Sequence, residues 1–231
     1  MSKHSDRFGF GLPDDFPLEQ LEAVHARVSD GGIYDTNLRL WHHWAGGCNA
    51  TMYRFIAADD ADREWAETYT DRPLIDQHVR QDILLFAFFA SALSSLECLV
   101  YGLAALGEHL RPDVFSVVTK PWTINFNSVP KMFTGAFPSE SLTKALTEID
   151  VSAEMKSLRE TRNILAHRAA PGRTYSEILT TSSSGDSATV GSTEWLGNVL
   201  DQGTTRRPRG WVAGALARML NEAVAFTTAY I

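Results

Sequence analysis

Ile83-Leu-Leu-Phe-Ala-Phe-Phe-Ala-Ser-Ala-Leu-Ser-Ser-Leu96 carries no charged side chain, and the first one after it is Glu97. A helix built from this run is apolar on nearly every side, which marks either the central helix of a bundle or a membrane span. Two features favour the bundle. The run is shorter than the roughly 20 residues a bilayer core requires, and Ser91, Ser94, Ser95 and Glu97 would stand in hydrocarbon. The spacing therefore predicts a long buried helix from Leu74 to Leu110, with no membrane crossing.

Working outward toward the N-terminus, Met52, Phe55, Ile56, Trp65 and Tyr69 recur near helical spacing with Asp59, Asp60, Asp62 and Arg63 between them. This predicts an amphipathic helix over Asn49 to Tyr69, ended by Asp71-Arg-Pro73. Residues 1–48 are punctuated by Pro13, Pro17, Gly31-Gly32 and Gly46-Gly47 and are expected to form an extension packed on the bundle, with short helices over Leu18 to Val28 and Thr36 to Ala45. His42 and His43 sit between Trp41 and Trp44, but adjacent helical residues point about 100° apart, so a structural role is expected for them rather than a shared metal.

Toward the C-terminus, Pro112, Pro121, Pro130 and Pro138 exclude one long helix and predict an irregular connection containing a short helix. Ser139 is the expected cap of a helix that aligns Leu142, Leu146 and Ile149; after a break at Asp150 to Ser152, another helix is expected from Ala153 to Arg168, stopped by Pro171-Gly172. Tyr175 to Thr181 and Ala188 to Val190 flank Ser182-Ser-Ser-Gly-Asp186, which reads as a hairpin within an insertion over about 173–208. The stripe Trp211, Val212, Ala215, Leu216, Met219, Leu220, Ala223, Phe226 and Tyr230 closes the chain as an amphipathic helix. The expected fold is mainly α: a four-helix bundle over 49–231 with the extension and the hairpin as decoration.

Composition bounds the function. With 231 residues, 44% hydrophobic and 21% charged, the chain can bury a core without staples. Cys48 and Cys98 stand alone without metal-ligand spacing, so free thiols, a reducing compartment and no metal site are expected. The polar start lacks the apolar core of a secretory signal, and a cytoplasmic location is the expectation. A net charge of −7 disfavours bulk coating of nucleic acid. Phosphate would have to be met locally, at Arg159, Arg162, Arg168 and Arg173 or at Arg206, Arg207 and Arg209.

Leu158-Arg-Glu-Thr-Arg-Asn-Ile-Leu-Ala-His-Arg168 carries the chemistry. On a helix Asn163 and His167 share a face, Arg159 lies one turn earlier on it, and Arg162 emerges about 100° round. An imidazole exchanges a proton near neutral pH, a guanidinium grips phosphate oxygens as a fork, and a carboxamide orients either partner. Together they suit attack of a ribose 2′-hydroxyl on the adjacent phosphorus of RNA, without a metal or other cofactor. On the structural side, the helix dipole alone favours His and Arg at a C-terminus.

Arg162-Asn163-Ile-Leu-Ala-His167 resembles the Arg-x(4-6)-His motif of the HEPN superfamily, including the polar residue that its ribonuclease members carry after the arginine. Phe88-Phe-Ala-Ser-Ala-Leu-Ser-Ser-Leu-Glu-Cys-Leu-Val-Tyr-Gly102 is similar to that family's hydrophobic helix with an embedded acid. The resemblance implies a dimerising helical bundle whose composite groove cuts RNA, in a toxin or antiviral-defence setting with a cognate antitoxin as partner. It implies His167 as proton-transfer group, Arg162 as phosphate binder and Asn163 as orienting group, with Glu97 and Arg159 in support and Arg168 and Arg173 on the RNA. Ala169 stands where the tyrosine-modified toxins carry Tyr, which argues against that type. The alternative is a non-catalytic module that binds RNA, a nucleotide or a protein through the same surface.

Overall fold

A computed structural model describes residues 11–70, 73–167, 173–181, 187–196 and 198–231; for 167, 175–181, 187–192 and 198 the description is of the backbone alone. The chain is mainly helical. In order come α1 (Leu18–Asp30), α2 (Ile33–Thr36), α3 (Leu38–Thr68), α4 (Ile75–Leu110), a 3-10 turn (Pro121–Thr123), α5 (Val129–Ala136), α6 (Ser141–Asp150), α7 (Ala153–His167), strands β1 (Arg173–Thr181), β2 (Ser187–Trp195) and β3 (Asn198–Leu200), and α8 (Arg206–Tyr230).

The uncharged run forms the middle of α4. Leu85, Phe88, Ala92, Leu96, Leu99 and Val100 lose all contact with solvent. By length and composition α4 could cross a membrane, and 56% of its most apolar window is buried inside the fold. That burial accounts for much of the hydropathy, because a helix packed on several sides has no polar face to keep.

The long antiparallel neighbour of α4 is α3, and it corrects the expected boundary between residues 48 and 49. Gly46-Gly47 does not punctuate the chain: α3 runs through both glycines, so that boundary falls in mid-helix. The reason lies across the interface. A Cβ on Gly47 would stand 2.9 Å from the Cys98 carbonyl oxygen and 2.9 Å from Cα of Gly102, while Trp44 packs over Gly102. Glycine is kept for close approach of two helix backbones rather than for a turn. Gly47→Ala should gain about 1 kcal/mol of helix propensity yet lose on the order of 1–3 kcal/mol to overpacking against main-chain atoms that cannot rotate away. A net fall in thermal midpoint is expected; a rise would show that the two helices can part at no cost.

The expected extension belongs to the core. Leu12, Phe16, Leu21, Val24 and Val28 are buried, and α1 packs against α8. His43 Nδ1 meets the Tyr101 hydroxyl at 2.7 Å, whereas His42 faces solvent, so the two imidazoles do part company.

The proline-rich connection contains the 3-10 turn and α5, with Pro130 in the first turn of α5 where its missing N–H costs nothing. The next helix begins at Ser141 after Glu140 rather than at a Ser139 cap. The hairpin is longer than the β-rich residues suggested: β1 and β2 pair antiparallel from Arg173↔Trp195 to Thr181↔Ser187, and β3 adds a short edge beside β2. Its expected turn at 182–186 lies outside the described residues. Tyr69 donates from its hydroxyl to the Leu200 carbonyl, and Trp65 Nε1 donates to the Asp201 carbonyl at 3.0 Å. These two bonds fix the chain just before α8, which starts five residues earlier than its apolar stripe, at Arg206.

Candidate functional site

Helix α7 lies against α4, and its buried line is Met155 and Leu158, with Leu165 partly covered. Residues around that line acquire different surroundings although they are close in sequence. Arg159 is committed to local structure: its Nη2 donates to Asp150 Oδ1 at 2.6 Å, and its guanidinium lies 5.6 Å from the Phe126 ring centroid. Arg162 is less occupied. Among the described residues its ion-pair partner is Glu97 on α4, at 3.9 Å, and its side chain keeps 31% exposure. At that separation the pair is looser than a hydrogen bond, so the guanidinium fork retains donors for another acceptor.

Asn163 follows on the exposed surface, and His167 is the last residue of α7. The helical frame thus sets Asn163 and His167 four positions apart, one turn along the same face. Arg168 lies outside the described residues. Arg173 corrects an expectation: its guanidinium bonds to Gln81 and Asp82 of α4, and the side chain is 1% exposed. A cation sealed this way presents nothing to an RNA phosphate; its work is to pin the first strand of the hairpin to α4.

Glu97, expected in a supporting role, is the carboxylate that faces Arg162. Burial raises its carboxyl above the usual range, and Arg162 and then Arg159 oppose that rise. Its side chain is 38% exposed, so the effect is screened. The sign follows from linkage: a carboxyl whose folded value is raised binds extra protons in the fold, so stability is greatest below the ordinary Glu value and declines as pH rises through the raised one. Glu97→Gln should therefore leave the thermal midpoint at neutral pH equal or higher and flatten its dependence over mildly acidic pH. A clear loss of stability at neutral pH would mean that the pairing with Arg162 outweighs desolvation.

Among the described residues no group of three or more His, Cys, Asp or Glu could hold a metal ion. Cys48 is buried with its thiol pushed well up by burial, and Cys98 is half-buried and raised in the same sense, so neither is an activated nucleophile.

Two features escaped sequence reasoning. One is an ionic knot at Arg209, whose partners Asp15, Asp59 and Asp62 come from the N-terminal segment and α3. The other is a cavity between α7, α8 and the β2–β3 corner, walled in part by Trp195 and Trp211. Arg209 was visible as a member of a basic cluster, and Trp211 as part of an amphipathic stripe; nothing local distinguishes the roles they take. Compared with protein-family models, curated proteins and solved structures, the chain matches none.

Proposed function

We propose that the protein is a HEPN-like, metal-independent endoribonuclease that works as a homodimer, with Arg162, Asn163 and His167 in a composite groove. The observation that carries this reading is Arg162: a guanidinium part-exposed on α7, held loosely at 3.9 Å by the embedded acid of the central helix. Arg162 would bind the phosphate, His167 would move the proton of the 2′-hydroxyl, and Asn163 would orient one or the other.

A second feature supports the dimer. Ile75, Val79, Ile83 and Phe86 of α4 are 87%, 55%, 51% and 45% exposed. At about 100° per residue they share one stripe, and Glu97 lies on the same side about three turns further on, beyond the buried Leu93. A symmetric partner seated on this stripe would be carried toward the Glu97–Arg162 pair. Large exposed apolar side chains in one contiguous line are characteristic of association surfaces.

The direct test is incubation of purified protein with single-stranded RNA in EDTA: cleavage products are expected, and RNA retention without products would favour the non-catalytic module. The dimer has its own test. Ile83→Glu buries a charge in the proposed interface and should weaken association by on the order of 2 kcal/mol, about thirtyfold in Kd. Folding should survive, since surface substitutions usually change stability by less than about 0.5 kcal/mol. Sedimentation should show monomer and cleavage should fall with it; an intact dimer would remove the stripe from the interface.

A further inference from the structure

The connection from α4 to α5 holds the most exposed aromatic ring among the described residues: Trp122, in the 3-10 turn, is 76% exposed. One exposed ring is ordinary by itself, but this one stands on a braced support. The Thr123 N–H donates to the Lys120 carbonyl at 3.0 Å, and Thr123 Oγ1 donates to the same oxygen at 2.8 Å. Ser128 Oγ donates to the Thr123 carbonyl at 2.7 Å, and Asn125 Oδ1 accepts from the N–H groups of Asn127 and Ser128. Ile124 and Phe126 are buried and tie the turn to the core. The backbone on each side of Trp122 is fixed, so a flat ligand that meets the ring has little left to order.

Charge and place select the ligand. From Val114 to Ser139 the chain has no Asp or Glu, although its net charge is −7; the charged residues in that stretch are Lys120 and Lys131, both exposed. The acids bordering it are occupied: Asp113 accepts from Arg111, Glu108 from the Val118 N–H and Glu140 from the Tyr230 hydroxyl. Protein interfaces are depleted of lysine at their centres, whereas the exposed chain neighbours of Trp122 are Lys120, Asn125 and Asn127. Cations that follow a phosphate backbone beside an aromatic ring that stacks a base are the parts of a single-strand binding surface. The turn also adjoins the candidate site. The Phe126 ring centroid lies 5.6 Å from the Arg159 guanidinium, and Arg159 stands three residues before Arg162 and one turn before Asn163 on α7.

We propose that Trp122 stacks an unpaired base of the same RNA strand that Arg162 holds, with Lys120 on that strand's phosphate backbone. This deepens the ribonuclease reading, on which it rests, by naming the substrate class: single-stranded RNA. A duplex offers no free base face to the ring, so it gains nothing from Trp122.

The test is fluorescence anisotropy of a labelled 2′-O-methyl oligoadenylate titrated with the full chain. This probe has no attacking hydroxyl and so survives an active enzyme; a fully paired 2′-O-methyl duplex is the control. Trp122→Ala should weaken single-strand binding about 5–100-fold and leave duplex binding unchanged. Trp122→Phe, which keeps a ring, should recover most of the loss. Lys120→Ala should flatten the slope of log affinity against log salt by about 0.7. The thermal midpoint of Trp122→Ala should hold, since the side chain is exposed. Single-strand binding weakened by Arg162→Ala but not by Trp122→Ala overturns the inference and leaves the ribonuclease reading standing. Binding that needs both residues while unmodified RNA stays uncut keeps the inference and removes the catalytic reading. The inference also falls if the wild type does not bind the single strand, if Trp122→Ala weakens duplex binding equally, or if Arg162→Ala leaves single-strand binding unchanged.

Discussion

Replacing His167 by alanine is expected to lower RNA cleavage in EDTA by about 10²–10⁴-fold, the usual worth of a positioned proton-transfer group. Arg162→Ala should cost about 10²–10³-fold, as loss of a donor to a developing phosphorane charge does. Arg162→Lys should recover little, since an ammonium cannot reproduce a planar fork. The structure makes the two tests unequal in their side effects. His167 ends its helix, where loss of the interaction with the helix dipole should cost roughly 0.3–1 kcal/mol. Removing Arg162 strips Glu97 of its first opposing charge and should raise that carboxyl further. Thermal midpoints measured beside activity separate the effects: a large rate loss with an intact melt supports the mechanism, and cleavage undiminished in His167→Ala ends it.

The largest effect on folding is expected at Arg209. Its guanidinium meets Asp15 at 2.8 Å and Asp59 at 2.6 Å, with Asp62 at 3.9 Å, and lies 5.4 Å from the Phe55 ring centroid. Thr205 Oγ1 adds a hydrogen bond to Asp62 at 2.6 Å. Side-chain exposures of 15% for Arg209, 13% for Asp59 and 12% for Asp62 make this a mostly buried network. Arg209→Met keeps bulk over Phe55 but leaves Asp62 without its cation and Asp59 with the exposed Arg63 alone, at a cost of about 3 kcal/mol. For a chain of this size that is a drop in thermal midpoint of roughly 10 °C. Changing Asp59 and Asp62 to asparagine in the same background should restore part of it, which a loss due to packing alone would not. A melt unchanged by Arg209→Met would show that the network contributes nothing net.

This knot also ties the N-terminal segment to the last helix. Asp15 is tied to Arg209, Phe16 meets Phe55 with ring centroids 5.5 Å apart, and α1 covers α8. Proline and glycine around these residues suggested an extension packed on the bundle because they report local backbone preference; they carry no information about which residue, almost two hundred positions away, it packs on. Gly46-Gly47 is the same lesson inside a helix. Glycine pairs usually punctuate the chain, but here a helix crossing needed the space that a Cβ would fill.

Much of the molecule is nonetheless legible in its residues. The uncharged run from Ile83 to Leu96, the periodic apolar stripes of α6, α7 and α8, and the β-rich pair around 182–186 determine a mainly helical chain with a small hairpin, because side-chain period and backbone propensity are local properties. The same local rules set Asn163 and His167 one turn apart. Tertiary structure alone decided which cation is occupied and which is available: Arg159 went to Asp150, Arg173 was sealed against Asp82, Arg209 was locked among three aspartates, and Arg162 kept a loose partner and part of its exposure. A charged side chain's state depends on which carboxylates the fold brings within a few ångströms and how much water it removes, and neither quantity is written in the neighbouring sequence.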